Sequence, residues 1–150
     1  MQQRILGRTG RNVSAIGLGT WQLGADWGDV SEEDARAILT ASVDAGVTLF
    51  DTADVYGDGR SERLIAEVLA TRSGPRPFVA TKAGRRLSPH VAEGYRDLSA
   101  FIDRSRKLLQ MDTLDLLQLH CPPPMAYHDT AVFDALDALF LQAAKQDASI

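Results

Sequence analysis

The chain has 150 residues, a net charge of −4 and 45% hydrophobic residues, enough length and apolar content for one soluble globular domain with a real core. The mild acidity argues against nucleic acid as a partner, and nothing approaches the roughly 20 apolar residues of a membrane span. Cys121 is the only cysteine, which excludes an intrachain disulfide and fits a reducing cytoplasm.

Met1-Gln2-Gln3-Arg4 opens no long apolar run, so no signal peptide is expected. Residues 1–150 read as a single domain, with a hairpin over residues 4–15 and four βα units over residues 16–144. The hairpin follows from two short strands around the turn formers Gly7, Gly10 and Asn12. Ile16-Gly17-Leu18-Gly19-Thr20 reads as a strand whose glycines allow close backbone approach. Trp21 and Trp27 follow on a Gly- and Asp-rich loop. They either wall a substrate pocket or cap the core.

Ser31 is a good N-cap, with Glu32, Glu33 and Asp34 in a first turn where the helix dipole favours anions. Ala35, Ile38, Leu39, Ser42 and Val43 keep helical spacing, and Gly46 ends the helix. Val47 to Phe50 is an apolar run that reads as a buried parallel strand. Asp51 stands at its carboxyl end, and Tyr56 sits on the loop beyond. A second helix starts near Ser61 and buries Leu64, Ile65, Val68 and Leu69; Ser73-Gly74-Pro75 stops it.

Phe78-Val79-Ala80-Thr81 is the next strand, ending at Lys82, and a polar loop runs from Ala83 to Gly94. Leu98, Phe101, Ile102, Ser105, Leu108 and Leu109 are spaced as one face of a third helix. Thr113 to Leu119 is a fourth strand, ending at His120, and Pro122-Pro123-Pro124 cannot continue its ladder. A fourth helix begins near Asp129 or Thr130, with Val132, Phe133, Leu136, Leu139 and Phe140 expected on its buried face.

The repeated strand–helix alternation predicts an α/β fold with a parallel sheet and right-handed crossovers. In such a sheet the strand ends face one way, so Asp51, Lys82, His120 and the nearby Tyr56 can converge. Separately, Lys82 fits a snorkelling surface lysine, His120 a satisfied histidine and Tyr56 a core aromatic. Together they suit proton donation to a carbonyl oxygen. An ammonium beside a phenol makes it a readier proton donor near neutral pH. Asp51 holds that ammonium, and His120 can orient the substrate oxygen.

The same residues resemble the aldo-keto reductases. The matching stretches are Gly17-Leu18-Gly19-Thr20-Trp21, Phe50-Asp51-Thr52-Ala53-Asp54-Val55-Tyr56-Gly57, Ala80-Thr81-Lys82 and Leu116-Leu117-Gln118-Leu119-His120. The opening Leu6-Gly7-Arg8-Thr9-Gly10 is similar to bacterial members. The resemblance covers about residues 4–139 and implies the first half of a TIM (β/α)8 barrel with a bottom-sealing hairpin. It implies NADPH-dependent reduction of an aldehyde or ketone, with Tyr56 as acid, Lys82 and Asp51 tuning it and His120 orienting the carbonyl. It also places Gly19, Thr20, Trp21 and Asp51 near the nicotinamide end of the cofactor.

The family holds most of the dinucleotide with the second half of its barrel: a Ser-Asn pair, a Gln, a stacking Tyr and a basic phosphate loop. None of these follows here. Two readings result. One is a reductase. The other is a non-catalytic, truncated half-barrel that lacks most of the cofactor site and self-associates through its open edges as a homodimer or larger homo-oligomer. The tail, Gln142 to Ile150, further suggests a shifted reading frame near residues 139–142.

Overall fold

The computed structural model describes residues 1–24 and 28–146. Strands β1 (Gln3–Ile5) and β2 (Asn12–Ser14) pair antiparallel. The connection turns through a short 3-10 segment, Gly7–Thr9, and Gly10 at φ +70°. The expected hairpin is present. It docks on the rest of the fold where the Ser14 and Thr48 backbone amides donate to each other's hydroxyls, at 2.7 and 2.8 Å.

Four parallel strands follow in chain order: β3 (Leu18–Gly19), β4 (Leu49–Asp51), β5 (Phe78–Ala83) and β6 (Leu116–Leu119). Among the described residues β3 and β6 are the edges. The helices are α1 (Glu32–Asp44), α2 (Arg60–Ala70), α3 (Ser99–Leu109) and α4 (Thr130–Gln146). This is the arc of half a (β/α)8 barrel, as the sequence predicts. Ser31 caps α1 by accepting from the Asp34 amide at 3.0 Å. Gly46, at φ +84°, turns the chain out of that helix.

One core layer lies between the sheet and the first helices, with Leu39, Phe50, Leu64, Ile65 and Val79 buried in it. A second surrounds Ala83, Tyr95, Leu98, Ala126 and Val132. Three expectations need correction. Lys82 lies inside β5, one residue before its end. The expected polar loop after it contributes Ala83 and Ala92 to the second core, and its end folds into a 3-10 segment, Ala92–Arg96. On α4, Val132 is buried, but Phe133 is 43% and Phe140 58% exposed. That helix packs against the Ala92–Arg96 segment and covers only part of its apolar face.

Candidate active site

The strand ends gather the residues that the sequence singles out. Asp51 is the last residue of β4, Lys82 is in β5, and His120 directly follows β6. The ladder runs on past the strands: the Thr52 amide donates to Ala80 O at 2.8 Å and the His120 amide to Ala83 O at 2.8 Å. Each side chain therefore leaves a backbone fixed by its neighbour strand.

Lys82 Nζ donates to Asp51 Oδ1 at 2.5 Å and to Thr52 O at 2.8 Å. The same ammonium lies 5.3 Å from the centroid of the Tyr56 ring. His120 meets that ring edge-on, at 5.9 Å between centroids. Trp21, 49% exposed, lies tilted by 30° to it at 6.4 Å between ring centroids. Burial holds the His120 imidazole below its ordinary value, helped by Lys82 and Arg85 and opposed by Asp51. The ring is therefore neutral at pH 7. Its Nδ1 is buried with no hydrogen-bond partner among the described residues.

Thr20 is fully buried, and its hydroxyl donates to Asp51 O at 3.0 Å. Ser61 Oγ joins it at 2.8 Å and also contacts Thr52 Oγ1 at 3.0 Å. Thr20 thus fastens the ends of β3 and β4 to the start of α2. Gly19 is exposed, and an added Cβ would meet no described residue within 4 Å. Gly57 is different: at φ +58°, a Cβ there would lie 2.2 Å from Gly24 O. Only glycine lets the Tyr56 loop pass so close. Trp27 lies outside the described residues.

The family model described as Aldo/keto reductase family matches residues 15–142. The chain belongs to the aldo/keto reductase family. It is 39% identical over 127 residues to L-galactose dehydrogenase of Arabidopsis thaliana, covering 80% of this chain and 38% of that protein. It is 33% identical over 131 residues to an aldo-keto reductase of Bacillus subtilis, covering 83% and 39%. Among solved structures, the holo aldo-keto reductase from Bacillus halodurans superposes with a TM-score of 0.76 at 26% identity, covering 95% of this chain and 47% of that one. The aldo-keto reductase from Klebsiella pneumoniae in complex with NADPH superposes with a TM-score of 0.66 at 25% identity, also covering 95% and 47%. The chain thus spans about two fifths of these curated relatives and about half of these solved chains.

Several residues around the four converging side chains escaped the sequence reading. Tyr95 is buried; its hydroxyl donates to His120 O at 2.9 Å, and burial pushes its phenol up to about 12. Asp54 and Glu62 are both fully buried, and burial raises both carboxyls. Glu62 Oε1 accepts from Thr81 Oγ1 at 2.6 Å. Arg86 Nε lies 3.5 Å from Asp54 Oδ2. A cavity of about 480 Å³ lined by Ala66, Leu69, Arg76, Met111 and Asp112 contains none of the four converging residues. Its position, at the far ends of α2 and α3, leaves it outside the chemistry at the strand ends.

Proposed function

We propose that this chain carries the proton-delivering half of a site for NADPH-dependent reduction of an aldehyde or ketone. The single observation behind this is the Tyr56 ring within 5.3 Å of the Lys82 ammonium and 5.9 Å of the His120 imidazole, with Lys82 tied to Asp51. Tyr56 gives a proton to the carbonyl oxygen as general acid. Lys82 supplies positive charge where the phenolate forms, and Asp51 keeps that charge in place. Neutral His120 orients the carbonyl.

NADPH, when bound, supplies the hydride. Open space beside Gly19 and the exposed face of Trp21 suit the flat nicotinamide end. The buried Thr20 hydroxyl is committed to the Asp51 carbonyl and supports that surface from behind. One relative is a structure in complex with NADPH and another is named a methylglyoxal reductase, which agrees with this cofactor and a small carbonyl substrate. By family resemblance, the far end of the dinucleotide is gripped by strands and loops of the other half of the barrel.

The test is a completed barrel. This chain is joined to the part of the Bacillus subtilis relative that lies outside the matched region, and aldehyde reduction is followed with NADPH. Tyr56→Phe should lower turnover by roughly 10²–10⁴-fold, the usual share of general acid catalysis. A folded, NADPH-binding chimera whose turnover survives Tyr56→Phe would rule the assignment out.

A second reading concerns the chain by itself. The edges β3 and β6, with Phe133, Phe140 and Leu141 exposed on α4, favour self-association into a homodimer or larger homo-oligomer. Light scattering at micromolar concentration should give at least twice the monomer mass. A stable monomer would end this reading.

A further inference from the structure

Two arginines outside the four-residue centre hold the loop that carries Tyr56. Arg86 lies just after β5, and Arg104 is on α3. Arg86 Nη2 donates to Asp54 O at 3.0 Å and pairs with Asp58 Oδ1. Arg104 Nη1 donates to Asp54 O at 3.2 Å, and its Nη2 donates to Asp58 O at 2.6 Å and Asp58 Oδ1 at 2.9 Å. The backbone two residues before Tyr56 and two residues after it is therefore gripped from two separate elements.

The loop needs such a grip. Gly57, Asp58 and Gly59 follow one another at φ +58°, +53° and +88°, a left-handed run that a non-glycine residue such as Asp58 adopts only when its surroundings impose it. Gly59 also lets Arg104 approach, since a Cβ there would lie 2.4 Å from Leu108 Cδ1 and 3.2 Å from Arg104 Nη2. On the buried side, the Asp54 carboxylate finds no side-chain hydrogen-bond partner among the described residues and faces Arg86 Nε at 3.5 Å. A planar guanidinium can bond two carbonyls and a carboxylate at fixed angles, which an ammonium cannot.

We infer that Arg86 and Arg104 are positioning residues for Tyr56: they clamp the Asp54 and Asp58 carbonyls and so aim the phenol at His120 and Lys82. The inference deepens the reading of Tyr56 as the acid and rests on it. Neither arginine touches the reacting atoms.

The test is nuclear Overhauser spectroscopy on the full chain. The Tyr56–His120 ring contact reports the clamp. The Tyr95–His90 ring contact, edge-on at 5.7 Å, is the internal control: Tyr95 bonds the His120 carbonyl, but the arginine hydrogen bonds above go to Asp54 and Asp58 and to neither control ring. In the double variant Arg86→Met, Arg104→Met the Tyr56–His120 cross-peak should disappear while the Tyr95–His90 cross-peak stays. Persistence of both would overturn the inference. Loss of both would also overturn it, since the arginines would then be general supports of the fold. If the double variant does not fold, Arg104→Lys decides. It should weaken the first cross-peak several-fold and leave the second unchanged, and an unchanged first cross-peak would overturn the clamp. This readout needs no turnover. Failure of Tyr56→Phe to slow the completed barrel would remove the acid assignment and leave the clamp measurement standing.

Discussion

Lys82 Nζ donates to Asp51 Oδ1 at 2.5 Å across the parallel pair β4–β5. The lysine side chain is mostly buried and the aspartate partly exposed, so the pair fixes where the ammonium sits more than it stabilises the fold. Lys82→Met should therefore leave thermal unfolding by circular dichroism nearly unchanged. In the completed barrel it should lower aldehyde turnover by at least about 10²-fold, because the phenolate of Tyr56 loses its cation. Turnover within a few-fold of the parent would refute this role.

His120 gives a pH dependence with a defined sign. Its folded value is lowered below 6.5, first by burial and then by Lys82 and Arg85. Between the folded value and 6.5 the unfolded chain binds more protons. The stability from keeping the ring neutral is thus present above pH 6.5 and is lost as pH falls through the folded value. Urea unfolding from pH 7.5 to pH 5 should show wild type losing more stability than His120→Gln, by about 1.4 kcal/mol per unit of lowering. Parallel losses in the two proteins would contradict the shift.

Glu62 works in the opposite sense. Burial raises its carboxyl above 4.5, against the hydrogen bond from Thr81. The fold therefore favours the protonated acid, and that advantage fades as pH rises through the folded value. Relative to wild type, Glu62→Gln should gain stability between pH 4 and pH 7, by on the order of 1 kcal/mol. A pH-independent difference in urea midpoint would count against it.

The main lines of the fold were legible because its signals are local. Ser31, Gly46 and the apolar strands mark their own elements. The four converging residues were legible for a topological reason: parallel strand ends share one side, so Asp51, Lys82 and His120 were bound to approach each other. Arg86, Arg104 and Tyr95 were not legible. Their partners are backbone carbonyls 25 to 50 residues away in sequence, and no periodicity encodes a bond to a carbonyl. The exposure of Phe133 and Phe140 was missed because apolar spacing marks which face of α4 is apolar without telling how much of it has a neighbour.

The central claim is that this chain holds the proton-delivering groups while the far end of the dinucleotide is gripped elsewhere. The most direct measurement is a titration of the chain with NADPH, following tryptophan fluorescence, with aldehyde reduction assayed in wild type and Tyr56→Phe. The account predicts no saturation up to roughly 1 mM, an affinity weaker than about 4 kcal/mol, and background reduction in both proteins. Tight NADPH binding, with turnover that vanishes in Tyr56→Phe, would contradict it and make this chain a complete enzyme.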